Sequence, residues 1–413
     1  MAANTTVKIS RQDLQDLAVP PEAVITGIKD LSSYNWVESA RPTIAVPGSP
    51  DLWSPPRGAC KVRKDSGHIY IAQNAARHPA SPLEPLFRAL YVAHPSFDVR
   101  PVDLVSDRNN IRKLLSVINP SSSKNGLEDF TINVEVAGRT VILARDEAKV
   151  EEFVGAGVFR GFGHEFEKKY TRAQLRGATG HHRIISYRFG DMNFLIRHET
   201  DGFVRADLKS APADAQAREQ EKLLDELASL SLSSLSLGTN YRHHHHQTLR
   251  VKKEGTVVPR ESTLEIKTRV ATKPIDFDEI ATQLWASQTP KLVRAYHSRG
   301  VFQEPAVEDV AEDIKGWERA NQAHLRRLAA LIAEILRVAR GMEGGRMRIR
   351  YGRAADEFVI QQRSEGKKML PGDLYSRWEE KAGGLDVHET ETAAAEPSGE
   401  GKDAAVGKKL VTV

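Results

Sequence analysis

From Arg183 to Asp201 the chain alternates between apolar and polar residues, turns, and alternates again. Ile185, Tyr187 and Phe189 come first, then Gly190-Asp191, then Phe194, Ile196 and His198. A period of two on both sides of a glycine-bearing turn reads as a β-hairpin, and a hairpin needs further strands or helices to bury its apolar face. Ile132, Val134 and Val136, a turn at Gly138, then Val141 and Leu143 read as a second hairpin. Thr263 to Val270 reads as a third strand standing alone, and Met347, Ile349 and Tyr351 as a last core strand. Helical periods lie between them. Leu83, Leu86, Leu90 and Val92 follow a Ser81-Pro82-Leu83-Glu84 capping box, and Ile111, Leu114 and Leu115 mark a helix over Arg108–Val117. Leu325, Leu328, Ile332, Ile335 and Ala339 form a strong amphipathic stripe. Hairpins mixed with helices imply an α/β (α+β) fold with a mixed β-sheet flanked by helices, in a single large domain.

The ends and one internal stretch read differently. Residues 1–60 carry Pro42, Pro47, Pro50, Pro55 and Pro56, which predicts a proline-rich extended arm packed on the body, with Trp36 and Trp53 as its anchors. The body spans 61–380. Within it, roughly 207–258 holds a Ser/Leu run and His243 to His246, which predicts a partly disordered insertion, dispensable over 212–256. The four-histidine run reads as a solvated tract rather than a metal site. Residues 381–413 are polar and small, and predict a disordered tail.

Composition excludes several classes. Lys+Arg of 59 against Asp+Glu of 55 leaves +4, too balanced for a generic polyanion binder, though a local basic cleft is compatible. Cys60 is the single cysteine, so there is no disulfide framework and no CxxC zinc ribbon. No run approaches the roughly 18 apolar residues of a membrane helix. The N-terminus lacks a signal-peptide apolar core. The expected location is nuclear or cytosolic, not secreted.

Two charged triplets carry the chemistry. In Glu199-Thr200-Asp201 and Glu265-Ile266-Lys267 the outer residues project from one face if the backbone is extended. Placed together, three carboxylates and an ammonium would crowd one cleft. Such a cluster is too costly to bury unless a hard divalent cation such as Mg²⁺ or Mn²⁺ sits among its oxygens. The E-x-K pattern by itself is weak, since it recurs at Glu167–Lys169, Glu365–Lys367, Glu379–Lys381 and Glu400–Lys402. The setting LEIKTRV, with apolar neighbours alternating with the pair, distinguishes Glu265–Lys267.

Further motifs stand in order around these triplets: Arg108 in DRNNIRKLL, then Gly163-His164-Glu165-Phe166-Glu167, then Glu199–Asp201, Glu265–Lys267, and Gln283 in QLWASQTPKL. In this order the chain resembles the decapping exoribonucleases of the DXO/RAI type, as a diverged member of fungal type. That family has an arginine, then G-Φ-x-Φ-E, E-x-D, and E-x-K before a glutamine-bearing helix, on a core related to the PD-(D/E)XK nucleases. The resemblance covers roughly residues 83–302. It implies metal ligation by Glu167, Asp201 and Glu265, with Glu199 beside them holding a metal or its water. It implies that Lys267 and Gln283 face the scissile phosphate and the attacking water, and that Arg108 grips RNA phosphate. Gln288 is the alternative to Gln283, and a solvated helix-start arginine the alternative for Arg108. His164 departs from the pattern, and so does the length of chain, 63 residues (202–264), between Asp201 and Glu265.

The implied function is a divalent-metal-dependent hydrolase of RNA 5′ ends. It would remove incomplete or non-standard caps, release pyrophosphate from triphosphorylated ends, or degrade RNA 5′ to 3′. The implied partners are RNA and, for some members, a 5′–3′ exoribonuclease. The rival readings are a non-catalytic RNA-end binder that stabilises such an exonuclease, and a DNA-directed nuclease with the same core.

Overall fold

A computed structural model describes residues 5–123, 126–155, 157–205, 248–363 and 367–379. Most of the described strands form two sheets. The larger runs, edge to edge, through Thr6–Ser10, Glu357–Gln362, Arg346–Gly352, Phe130–Ala137, Thr140–Asp146, Leu104–Asp107, Met192–Glu199, Ala178–Phe189, Ile25–Val37, Thr43–Gly48 and Arg250–Gly255. Its pairing is mixed. Leu104–Asp107 is parallel to both neighbours, and Arg250–Gly255 is parallel to Thr43–Gly48, while the remaining pairs are antiparallel. The smaller sheet centres on Thr263–Val270, parallel to Lys291–Ser298 and antiparallel to Gly202–Phe203.

Both expected hairpins are present, as Phe130–Ala137 with Thr140–Asp146 and Ala178–Phe189 with Met192–Glu199. Their apolar residues go to both faces of the sheet. Ile132, Val134, Ile185, Tyr187 and Ile196 pack under the helices Arg108–Ile118, Asp278–Ser287 and Gln322–Gly341. Ile142, Ile184 and Leu195 pack on the opposite face with helix Glu84–Ala93 and Trp378. A separate cluster around Phe166, Tyr170, Leu264 and Phe302 fills the smaller sheet. The described residues lie in one compact unit ending at Glu379, an α/β fold with mixed sheets. No helix among them is long and apolar enough to cross a membrane.

Four expectations change. The described part of the expected arm, residues 5–60, is not a surface arm. Ile25–Val37 is a strand of 13 residues inside the larger sheet, and Trp36 is fully buried in it. Its polar residues interrupt the apolar alternation that marks a strand. Ser33 and Asn35 are buried, and each is satisfied. The Ser33 hydroxyl donates to the Pro47 carbonyl at 2.7 Å, and Asn35 Oδ1 accepts the Ser49 amide at 2.6 Å. The segment expected to be an insertion returns to the sheet by Arg250, so removing 212–256 would delete an edge strand. Its residues 206–247, with the four histidines, lie outside the described residues, as does the tail from 380. The Thr263–Val270 strand does not stand alone but is central to its sheet. The Ser81 capping box does not form, because the Ser81 hydroxyl donates to Met369 at 2.6 Å and Glu84 contacts His78 and Arg88. The helix begins at Glu84.

Candidate active site at the seam of the two sheets

One short segment of chain passes from the larger sheet to the smaller. Met192–Glu199 ends in the first, the Thr200 amide bonds to the His181 carbonyl at 3.0 Å, and Gly202–Phe203 enters the second. Glu199 and Asp201 therefore sit at the crossing. Glu199 opens to solvent, Thr200 is buried and Asp201 is half-buried, the alternation an extended backbone imposes.

Glu265 is the hub. It lies on the central strand of the smaller sheet, is only 2% exposed, and draws in donors from three elements. Lys267, two residues on along the same strand, places Nζ 2.5 Å from Glu265 Oε1. Gln283, from helix Asp278–Ser287, donates its amide to the same oxygen. Arg108, the first residue of helix Arg108–Ile118, donates Nη1 to Oε2 at 3.2 Å. Burial opposes the charge on Glu265, but Lys267 and Arg108 outweigh it and hold the carboxyl down at about 2. Burial likewise opposes the Lys267 ammonium, yet Glu265 and Asp201 keep its pKa above the ordinary value.

The other carboxyls lack such partners. Asp201 Oδ2 accepts the Ile266 amide at 2.7 Å, but desolvation, then the charges of Glu265 and Glu167, push its pKa well up. The Glu199 carboxyl is raised by desolvation and by Glu167 and Glu265. Glu167 projects from helix Gly163–Tyr170, whose Glu165 amide is capped by the buried carboxylate of Asp65 at 3.0 Å. His164 is half-exposed on the same helix, 4.0 Å from Glu167, and Glu167 raises its pKa.

The six expected catalytic groups and Arg108 thus come to one seam, Glu265 and Lys267 from one strand and the others from separate parts of the fold. Gln283 rather than Gln288 faces Glu265. Gln288 ends the helix at φ +54° with its side chain turned back to the Trp285 carbonyl. Arg108 is an ion-pair partner, not a solvated arginine. In kind, the four carboxyl groups fit a hard divalent cation, being oxygen donors with excess negative charge at Glu199 and Asp201. Their arrangement is not the expected shared cradle, because Glu265 is closed on Lys267, Gln283 and Arg108. Among the described residues, no group of three or more His, Cys, Asp or Glu side chains is arranged to hold an ion.

Several residues were not legible in the motifs. A cavity of about 210 Å³ opens beside Glu199, lined by Tyr70, Arg108, Arg112, His182 and Arg197. Arg197 is bidentate to Asp107, at 2.6 and 3.0 Å, and its Nη1 donates to the Pro82 carbonyl at 2.7 Å. This pair ties the Glu199 strand to the start of the Arg108 helix. Burial and then Arg108 push Arg112 down to about 10. His182 is buried, bonded to Gln73 and stacked on Tyr34. Arg197 lies two residues before Glu199 on the same strand face, the one sequence signal that could have found it.

Residues 20–378 match the model of a family described as a domain of unknown function, DUF8563. The chain belongs to that family. No curated protein matches the chain. This DUF8563 member is similar in fold to Rai1 of S. pombe, at 11% identity and a TM-score of 0.51, over 87% of this chain and 100% of that one. Rai1 of Scheffersomyces stipitis aligns at 12% identity and a TM-score of 0.52, over 91% and 98%. The same protein in complex with 3′-NADP⁺ and calcium ion aligns at 12% and 0.54, over 90% and 99%. At these identities the likeness is one of fold, and the fold is of the DXO/RAI type.

Proposed function

We propose that this DUF8563 protein is a divalent-metal-dependent hydrolase acting on RNA 5′ ends. The observation that carries the reading is the Glu265 hub, which joins Lys267, Gln283 and Arg108 at the seam where three further carboxyl groups gather. Generic surface electrostatics would not bury a carboxylate with three donors from three elements. The fold shared with Rai1, one relative of which is described with a dinucleotide and calcium, adds to it.

In this reading Glu167, Glu199 and Asp201 would hold Mg²⁺ or Mn²⁺, with Glu265 joining them on exchanging one of its present donors for the ion, which when bound lowers the pKa of water and neutralises charge on the phosphoryl group. Lys267 presents a fixed cation to the scissile phosphate. Gln283 orients by its amide without adding charge. Arg108 and Arg112, which line the cavity, supply cationic donors for a phosphate chain. A nuclear site of action, with the cytoplasm as the alternative, and partnership with a 5′–3′ exoribonuclease belong to the same proposal and rest on the family resemblance.

The test compares capped, triphosphorylated and monophosphorylated RNA with single-stranded DNA, each in Mn²⁺ and in EDTA. Release of cap, pyrophosphate or nucleotide from RNA in Mn²⁺ alone is expected. RNA binding with no hydrolysis of any substrate would overturn the enzyme reading in favour of an end-binding protein. Equal cleavage of DNA would point to the DNA-directed alternative.

A further inference from the structure

The strands Gly67–Tyr70 and Glu151–Val154 pair into a two-stranded ribbon at the edge of the cavity, with Phe153 opposite His68 and Glu151 opposite Tyr70. Directly paired residues, and residues two apart, share a face. One face of the ribbon therefore carries Phe153, His68 and Tyr70 in a row, with Glu151 alongside. His68 contacts the Tyr70 ring edge-on at 4.5 Å and holds Glu151 at 2.9 Å. Tyr70 lines the cavity next to Arg108 and Glu199, and Arg77 lies over its ring at 5.1 Å. Phe153, at the other end of the row, is 79% exposed.

An isolated exposed apolar residue needs no explanation, but here several recur along the same stretches of chain. Of the seven exposed large hydrophobics among the described residues, four (Ile71, Phe153, Val158 and Phe159) lie in or within five residues of the ribbon's two strands along the chain. The chain enters the ribbon through Lys61-Val62-Arg63-Lys64, whose three cations are exposed, and Lys64 sits over the Phe159 ring at 5.6 Å. Rings interleaved with cations, leading into a cavity lined by Arg108 and Glu199, suit unpaired bases stacking on rings while phosphates meet lysine and arginine. A protein partner would more naturally meet an apolar patch with few cations at its centre.

We propose that the Phe153–His68–Tyr70 face is a base-stacking platform that receives the single strand next to its reacting 5′ end. This rests on the proposed RNA-end function but goes further, naming which part of the substrate is read and by which side chains. The platform recognises bases by their flat faces, so it distinguishes single strands from duplex without sequence preference.

The test is fluorescence anisotropy in EDTA, so that hydrolysis plays no part. The probes are a 3′-labelled 12-nucleotide oligoadenylate and an abasic ribose-phosphate chain of equal length. The wild-type protein should bind the oligoadenylate more tightly. Phe153→Ala should weaken oligoadenylate binding about tenfold and leave the abasic chain unchanged, and Phe153→Trp should retain the wild-type affinity. Phe153 is exposed, so unchanged melting of both variants is expected. Equal weakening of both ligands, or no weakening of either, would overturn the platform. Hydrolysis lost with Phe153-dependent binding intact would sink the catalytic reading alone, and normal hydrolysis with Phe153-independent binding the platform alone.

Discussion

Arg108 and Glu265, 157 residues apart in sequence, meet at 3.2 Å across the seam of the two sheets. The arginine opens a helix of the larger sheet, and the carboxylate lies on the central strand of the smaller. Their contact ties two layers together at the place where the candidate chemistry gathers.

Removing one partner of this pair leaves the other buried, so Arg108→Ala is expected to cost about 1–3 kcal/mol of stability. Lys267 and Gln283 still hold Oε1, which keeps the loss at that scale rather than the larger cost of an isolated buried charge. Urea denaturation of the variant checks this. The same variant should bind oligonucleotide more weakly, with a shallower salt dependence by about one phosphate contact. An unchanged salt slope would mean that Arg108 serves the fold alone.

The raised pKa values of Glu199 and Asp201 have a stability consequence of definite sign. A carboxyl whose folded pKa lies above its unfolded value destabilises the fold at neutral pH, because its charge is better tolerated unfolded. Glu199→Gln with Asp201→Asn should therefore raise Tm in EDTA while abolishing hydrolysis. Wild-type protein should gain stability on adding Mn²⁺, and the double variant should not. A lower Tm for the double variant in EDTA would show that these carboxylates hold the seam together rather than strain it.

Acid should loosen the fold through its buried histidines. Burial, and then Arg183 for His181 and Arg197 for His182, hold both imidazoles neutral well below the ordinary 6.5, and burial pushes His198 down to about 3. Below about pH 6.5 the unfolded chain takes up protons that these rings refuse, so their stability is present above that pH and lost as it falls. From pH 7.5 to 5.5 the loss is about 1.4 kcal/mol per histidine. Urea midpoints at the two pH values, measured on the Glu199→Gln/Asp201→Asn background to remove the opposing carboxyls, should show it. Adding His182→Gln should reduce the pH dependence by about one such step. A midpoint independent of pH would mean that these rings take up protons in the folded protein as readily as in the unfolded chain.

Several elements could be read without coordinates because their signal is local. Alternation at Ile185–Phe189 and Phe194–His198 requires only neighbouring residues, as does the heptad-like stripe of Leu325 to Ala339. The charged spacing of Glu265 and Lys267 is local too, and the two side chains do meet. The Ile25–Val37 strand was not legible, because its half buried on both faces, Leu31–Val37, carries serine and asparagine whose hydrogen bonds are completed by distant groups such as Ser49 and Pro47.

What the residue order settled by itself was a short list of charged and amide side chains with the right chemistry, and the strands and helices that carry most of them. What it left open was who partners whom. The Glu265 oxygens go to Arg108, Lys267 and Gln283, and the Arg197 fork to Asp107, while Glu199 and Asp201 keep unrelieved charge. Such pairings depend on distances between groups remote along the chain and on how much water each loses. Neither quantity exists until the sheets have packed.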